Sequence, residues 1–413
     1  MIQHISISYV TAAFPTGFGT PGYVAHLFIL SLIVSGQMLF TATPYAAPYI
    51  PDNDAVVLQK LPASGNAGMQ TLGRLRNALS KSPADLTLAT EFARGYLQMG
   101  RIMADPRYDG YAQAALKPWW DMHQPPPEVL VLRAIVRQRQ HDFVQALDDL
   151  NRALQMQPVN VQAWLTQAAI HQVRGDYRAA YRSCMPLLRL SSNLLATACI
   201  ASVSSLNGRA HESYRILQKA IEQAPAAAPQ EKRWALTILA ETAARLEKYH
   251  EAERYFRAAL AGERHDHYLL GAYSDFLLDR NRPEDVLDLL KKTTQSDGLL
   301  LRLALAARKV NAPELDIYIE TLKARFAATR LRDETRHLRE DARFTLNLLR
   351  RPERALKLAV DNWRTQREPR DARILLEAAL QHGGRAAAQP VIDWIRSVNL
   401  EDSQLNKLME QLS

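Results

Sequence analysis

Residues 162–184 read QAWLTQAAIHQVRGDYRAAYRSC. Trp164, His171, Asp176, Tyr177 and Cys184 fall in one window, and a chemical site is the first thought. The order of small residues argues for something else. Ala134, Ala168, Ala201, Ala240 and Ser274 each sit mid-way along an apolar helical segment. Twelve residues on come Ala146, Ala180, Ser213, Ala252 and Val286, and seven further come Ala153, Leu187, Ala220, Ala259 and Thr293. All three series advance by 34, 33, 39 and 34 residues. The long step contains APAAAPQEK (224–232), an Ala- and Pro-rich linker. A period near 34 with helix–turn–helix punctuation marks a helical solenoid.

Each position has a physical task. Small residues let the two helices of a unit approach closely. Gly175 and Gly208 fall where the first helix stops, and a left-handed backbone costs glycine least. Asp142 and Asp176 follow, placed to cap the next helix. Phe143 and Tyr177 come next, able to wedge between helices. Pro158 and Pro225 end their units. Abundant Ala, Leu, Arg, Glu and Gln and scarce β-branched alternation agree with an all-helical chain.

On these residues the chain resembles the tetratricopeptide repeat family. Residues 127–160 carry Ala134, Ala146, Leu150, Ala153 and Pro158 at the family's places, and 161–194 carry Trp164, Ala168, Gly175, Asp176, Tyr177 and Ala180. Units near 194–227, 233–266 and 267–300 match less fully. The likeness extends loosely to 83–118 (Ala93, Tyr96, Gly100) and to 301–396 (Ala342, Ala355). Arg137 and Ser204 stand where the family has Tyr, and the last units lack the turn glycine. The resemblance implies an all-α, right-handed α-α superhelix whose first helices line a concave groove for peptides or protein surfaces. By the family's pattern that lining includes Arg139, Gln162, Gln172, Glu241, Arg245, Tyr268, Asp275 and Asp279. A two-Lys, one-Asn clamp for a C-terminal carboxylate is absent from this set.

The chain has 413 residues and a net charge of +8, yet residues 1–51 contain no Asp, Glu, Lys or Arg. Within that segment Val24–Phe40, VAHLFILSLIVSGQMLF, is the strong apolar run. As a helix it spans about 26 Å, short of the roughly 30 Å bilayer core. The run fits the hydrophobic region of a secretory signal, with Ala46 or Ala47 the expected last residue before cleavage. No basic residue precedes it and the Ala-x-Ala pattern is imperfect, so an uncleaved anchor and a cytoplasmic chain stay open as alternatives. The organisation expected is 1–47 signal peptide or membrane anchor, 48–82 linker and cap, 83–300 repeats, and 301–413 degenerate repeats with a C-terminal cap.

Candidate chemistry is sparse. Cys184 and Cys199 are the only cysteines; they belong on neighbouring helices, where a disulfide in an oxidising compartment or two buried thiols are both compatible with the spacing. His265-Asp266-His267 is the one local cluster of ligand-type residues, and adjacent residues on a turn diverge, so no metal site is expected. Trp119 and Trp120 are expected to pack on Phe92 and Leu97 rather than to stand exposed. Residues 323–373 hold 15 Lys/Arg against 8 Asp/Glu; interleaved acids at helical spacing favour a solvated face over a phosphate-binding one. There is no Gly-rich phosphate loop and no nucleophile elbow. The expectation is an exported, bacterial, non-enzymatic scaffold with a protein or peptide partner and no cofactor. It faces the periplasm and touches membrane only through an uncleaved N-terminus. The alternative is a binder of nucleic acid or anionic surfaces through the Arg-rich stretch, including Arg350 and Arg351.

Overall fold

A computed structural model of the protein describes residues 67–261, 266–291, 293–331 and 337–412. The apolar run, Ala46, Ala47 and His265 lie outside the described residues. Everything regular within them is helical, 22 helices in all.

The first layer is α1 (Ala67–Lys81), α2 (Leu86–Met103), α3 (Arg107–Ala115) and the single turn α4 (Lys117–Trp120). Asp85 caps α2 by accepting from Leu88 N. Trp119 and Trp120 are buried in one cluster with Phe92 and Leu97, so they pack the first layer as expected. Hairpins then follow one another: α5 (Pro127–Arg139) with α6 (Phe143–Met156), and α7 (Val161–Val173) with α8 (Tyr177–Cys184). Pro186 interrupts the second arm of that unit, which resumes as α9 (Leu187–Leu190). Next come α10 (Asn193–Ser204) with α11 (Ala210–Glu222), α12 (Pro229–Arg245) with α13 (Tyr249–Leu260), and α14 (His267–Asp279) with α15 (Pro283–Leu290). The last hairpins are α16 (Asp297–Val310) with α17 (Leu315–Leu331), α18 (Leu338–Asn347) with α19 (Pro352–Trp363), and α20 (Pro369–His382) with α21 (Arg385–Ser397). α22 (Ser403–Leu412) packs back on α20. The fold is an all-α, right-handed superhelix of helical hairpins.

The period has a backbone signature. His141, Gly175, Gly208, Glu247 and Asn281 all have positive φ, and they advance by the same 34, 33, 39 and 34 residues as the alanine series. Asn311, Arg350 and Gly383 take the same conformation between the helices of the later units. The left-handed turn is therefore kept where glycine is not. Asp142, Asp176 and Asp266 accept from the amides three residues on, at Gln145, Ala179 and Leu269, and so cap the helices that follow. The repeating small residues Ala134, Ala146, Ala168, Ala180, Ala240 and Ala252 are fully buried where paired helices touch. Ala342 and Ala355 do the same for α18 and α19. In the α5–α6 hairpin Arg137, at a family Tyr place, joins Arg133 in holding the fully buried Asp149 at 2.6 Å each.

The superhelix closes on itself. A single buried core joins Leu165, Tyr177, Cys184 and Leu206 to Trp363, Leu375, Ile395 and Leu400. The Arg367 amide donates to the Val173 carbonyl at 2.7 Å, and Tyr177 and Trp394 rings lie 5.9 Å apart. The Ala210 amide donates to Glu401 at 2.6 Å across 191 residues of sequence, and Lys407 pairs with Glu247 at 2.8 Å. The last units thus sit on the turn edges of the hairpins begun by α7, α10 and α12. Two of the turns receiving them are Gly175, where a Cβ would come 3.0 Å from Trp394 Nε1, and Gly208, where it would come 3.0 Å from Asn399 Cβ.

Candidate functional site

Closure turns the concave face into a chamber. Its walls are first helices: Gln172 from α7, Glu241 and Arg245 from α12, Tyr268, Asp275 and Asp279 from α14, Arg302 from α16, Arg339, Glu340 and Arg343 from α18, and Arg370, Arg373 and Glu377 from α20. Spacings of three, four and seven residues put such side chains on one face of each helix. Six of the eight residues expected along the groove, Gln172, Glu241, Arg245, Tyr268, Asp275 and Asp279, are brought together here. The other two are elsewhere. Arg139 donates to the Leu97 carbonyl and pairs with Asp109 at 3.0 Å, tying α5 to α2 and α3. Gln162 donates to Thr166 at the start of α7. Gln172 is buried and accepts from Ser202.

The residues that the sequence reading did not place here are the arginines of the later units. Arg343 and Arg302 hold the two oxygens of Asp275, at 2.6 and 2.5 Å. Arg302 also donates to the Gly271 carbonyl at 3.0 Å. Arg373 grips Asp279 with two parallel bonds of 2.7 Å and reaches Glu377 through Nε. Arg370 pairs with Glu241 at 2.5 Å and lies over the Tyr268 ring at 4.9 Å. Tyr268 donates to the same Glu241 oxygen at 2.7 Å. Arg339 contacts Glu340, Glu368 and Asp371 at 3.0–3.3 Å. Asp371 and Glu368 complete a reciprocal cap at the start of α20.

These contacts set the protonation states. Burial alone pushes the Asp275 carboxyl up, but Arg302 and Arg343 outweigh it and hold the group well below the ordinary range. Burial raises the Tyr268 hydroxyl well above its usual value, with Arg370 opposing and Glu241 reinforcing, so it remains a donor. Asp402, which also lines the chamber, is raised by burial against the pull of Arg245.

Four arginines of the basic stretch 323–373 therefore turn inward, onto carboxylates 68 to 129 residues away in sequence for Arg343, Arg370 and Arg373. The expectation of local i,i+4 neutralisation accounts for only Arg373 with Glu377 among the chamber pairs. Arg351, Arg354 and Lys357 stay on the outer surface. The signal that would have found the inward set is the i,i+4 spacing of Arg339 and Arg343 and the i,i+3 spacing of Arg370 and Arg373, on first helices of their units. Asp266 and His267 begin α14 as cap and first residue, and no cluster of three or more potential metal ligands occurs among the described residues.

Cys184 and Cys199 are joined, with 5.7 Å between Cα atoms, and pin the end of α8 to the middle of α10. Both are fully buried in the core that the last units share.

No protein-family model and no curated protein matches the chain. Among solved structures, a tetratricopeptide repeat protein from Parabacteroides merdae ATCC 43184 aligns over 62% of this chain and 93% of its own, at 14% identity and TM-score 0.37. The P58(IPK) TPR domain aligns over 84% of this chain and 92% of its own, at 13% identity and TM-score 0.22. By its own period, left-handed turns and packing of small residues, the chain is an all-α solenoid of tetratricopeptide-like hairpins.

Proposed function

We propose that the protein is a non-enzymatic scaffold that binds another protein through the concave side of its hairpin stack. The observation that carries this is the lining itself: the first helices turn polar and charged side chains inward while their neighbours form the core. Glu241, Asp275 and Asp279 of the earlier walls are each bridged to an arginine of a later one. The partner is read at the chamber mouth, in extended form. A helix 10–12 Å across has no room in a chamber of about 180 Å³.

The scaffold works outside the cytoplasm. Supporting this are the charge-free residues 1–51 with their apolar run and the Cys184–Cys199 bridge, since such bridges persist in oxidising compartments. Mass measurement of the mature chain tests it. Loss of the first 46 or 47 residues with both cysteines oxidised is expected; an intact, reduced chain overturns it.

A photo-crosslinking amino acid at Arg280, an exposed residue of the chamber lining, tests the interaction, with the same group at the exposed Arg354 as the outer-surface control. Crosslinks to a discrete protein from position 280 and none from 354 are expected. Crosslinks from 354 alone, or from neither, overturn the reading.

A further inference from the structure

The arm formed by α8 and α9 carries a face that the fold does not use. Met185 and Pro186 keep a right-handed helical backbone between the two helices, so side chains three, four and seven residues apart stay on one side of the arm. Arg178, Tyr181, Arg182, Met185, Leu188 and Arg189 follow that spacing, and all six are exposed. On the opposite side Ala180, Cys184 and Leu187 are fully buried, and the bridge to Cys199 fixes the arm in place. Between Asp176 and Glu212 the chain has no acidic residue. Asp176 itself is engaged as the cap of α8 and lies 4.0 Å from His171. Arg178, Arg182 and Arg189 have no carboxylate partner among the described residues, whereas Arg302, Arg343, Arg370 and Arg373 of the chamber are bridged. One helix surface thus presents three apolar side chains beside three uncompensated cations.

We propose that this face docks the protein on an anionic phospholipid bilayer. Tyr181, Met185 and Leu188 enter the boundary between headgroups and acyl chains, and the arginines beside them reach lipid phosphates. Apolar burial and attraction to anionic lipid act together in such a contact, and tyrosine favours the interface. The contact is peripheral, since no helix among the described residues is long and apolar enough to cross a membrane. A second copy of the chain suits the face poorly, because a two-fold pairing would set arginines against arginines. The face lies on a second arm, whereas the chamber is lined by first helices. It therefore goes beyond the scaffold reading and does not depend on it.

Co-sedimentation of the full chain with vesicles tests it, comparing phosphatidylcholine alone with phosphatidylcholine containing about one third phosphatidylglycerol. Binding at least tenfold tighter on the anionic vesicles is expected, weakening as salt is raised. R178E/R182E and the charge-neutral M185S/L188S should each weaken it at least tenfold. R354E/K357E, the same charge change on exposed residues of α19, should leave it within threefold. Circular dichroism establishes that each variant keeps its helices; if one of the first two does not fold, the other carries the test. Absence of binding to the anionic vesicles overturns the proposal and leaves the face to an acidic protein surface. Equal binding to both vesicles, unmoved by the variants, overturns it in favour of the apolar run 24–40. Equal losses in R354E/K357E and R178E/R182E overturn it in favour of net charge alone. A dimer in solution that M185S/L188S dissolves also overturns it, giving the face to a second copy.

Discussion

Arg350 and Gly175 occupy equivalent turns with opposite constraints. Both have positive φ, 56° and 76°. Arg350 is exposed, and its left-handed backbone costs an L-residue about 1–2 kcal/mol. Arg350→Gly relieves that strain at some cost in unfolded-chain entropy, and urea melts are expected to show a net gain of roughly 0.5–1 kcal/mol. Gly175→Ala is expected to do the reverse. A Cβ there adds the same strain and meets Trp394 at 3.0 Å and Arg367 at 3.1 Å. A loss of about 2 kcal/mol follows from the strain and the overlap together. A neutral Gly175→Ala would mean that the last units do not press on this turn.

At the scale of the element, the hairpin is the unit of stability, and its parts are local. Alanines set the helix separation, the aspartate caps the second arm, and the left-handed residue turns the chain. The α8–α10 junction has an extra constraint. Pro186 breaks the second arm just after Cys184, and the bridge to Cys199 spans 15 residues of sequence. A loop of that length restricts the unfolded chain by about 3 kcal/mol. The double variant C184A/C199A is expected to lose about that much in denaturant melts, and wild type under reductant to lose a similar amount. An unchanged midpoint in both would show that the bridge adds nothing to the junction.

For the molecule as a whole, closure rests on the core shared by early and late units and on arginine–carboxylate pairs across the concave face. Asp275 is the centre of those pairs, facing Arg302 and Arg343. Its pKa in the folded chain lies below the ordinary carboxylate value, so the unfolded chain binds the proton more tightly. Its contribution is fully present above about pH 4 and is lost progressively as pH falls below that. Asp275→Asn leaves two arginines facing an amide, and removing one member of a buried pair costs about 3 kcal/mol or more. That loss is expected at pH 7, should hold down to about pH 4 and should shrink as pH falls below it. A pH-independent effect would assign Asp275 to packing alone.

The period, the caps and the close helix contacts were legible in one window, 162–184, and its repeats. They depend on residues within one hairpin, which short-range spacing reports directly. Trp164, Ala168, Asp176, Tyr177 and Ala180 are structural for that reason. The chamber was legible in part. Glu241, Tyr268, Asp275 and Asp279 could be placed on a concave face from their position in the repeat. Their partners could not, because Arg343, Arg370 and Arg373 lie 68 to 129 residues downstream in units whose pattern is eroded. The sequence by itself determined the hairpins of the regular units, their order and the side that the first helices α12 and α14 turn inward. Only the tertiary structure decided that the stack closes. Closure depends on the small rotation added at each hairpin interface, which accumulates through packing and is written in no single unit. The same closure explains glycine at 175 and 208, where a Cβ would come 3.0 Å from Trp394 and Asn399 of the late units.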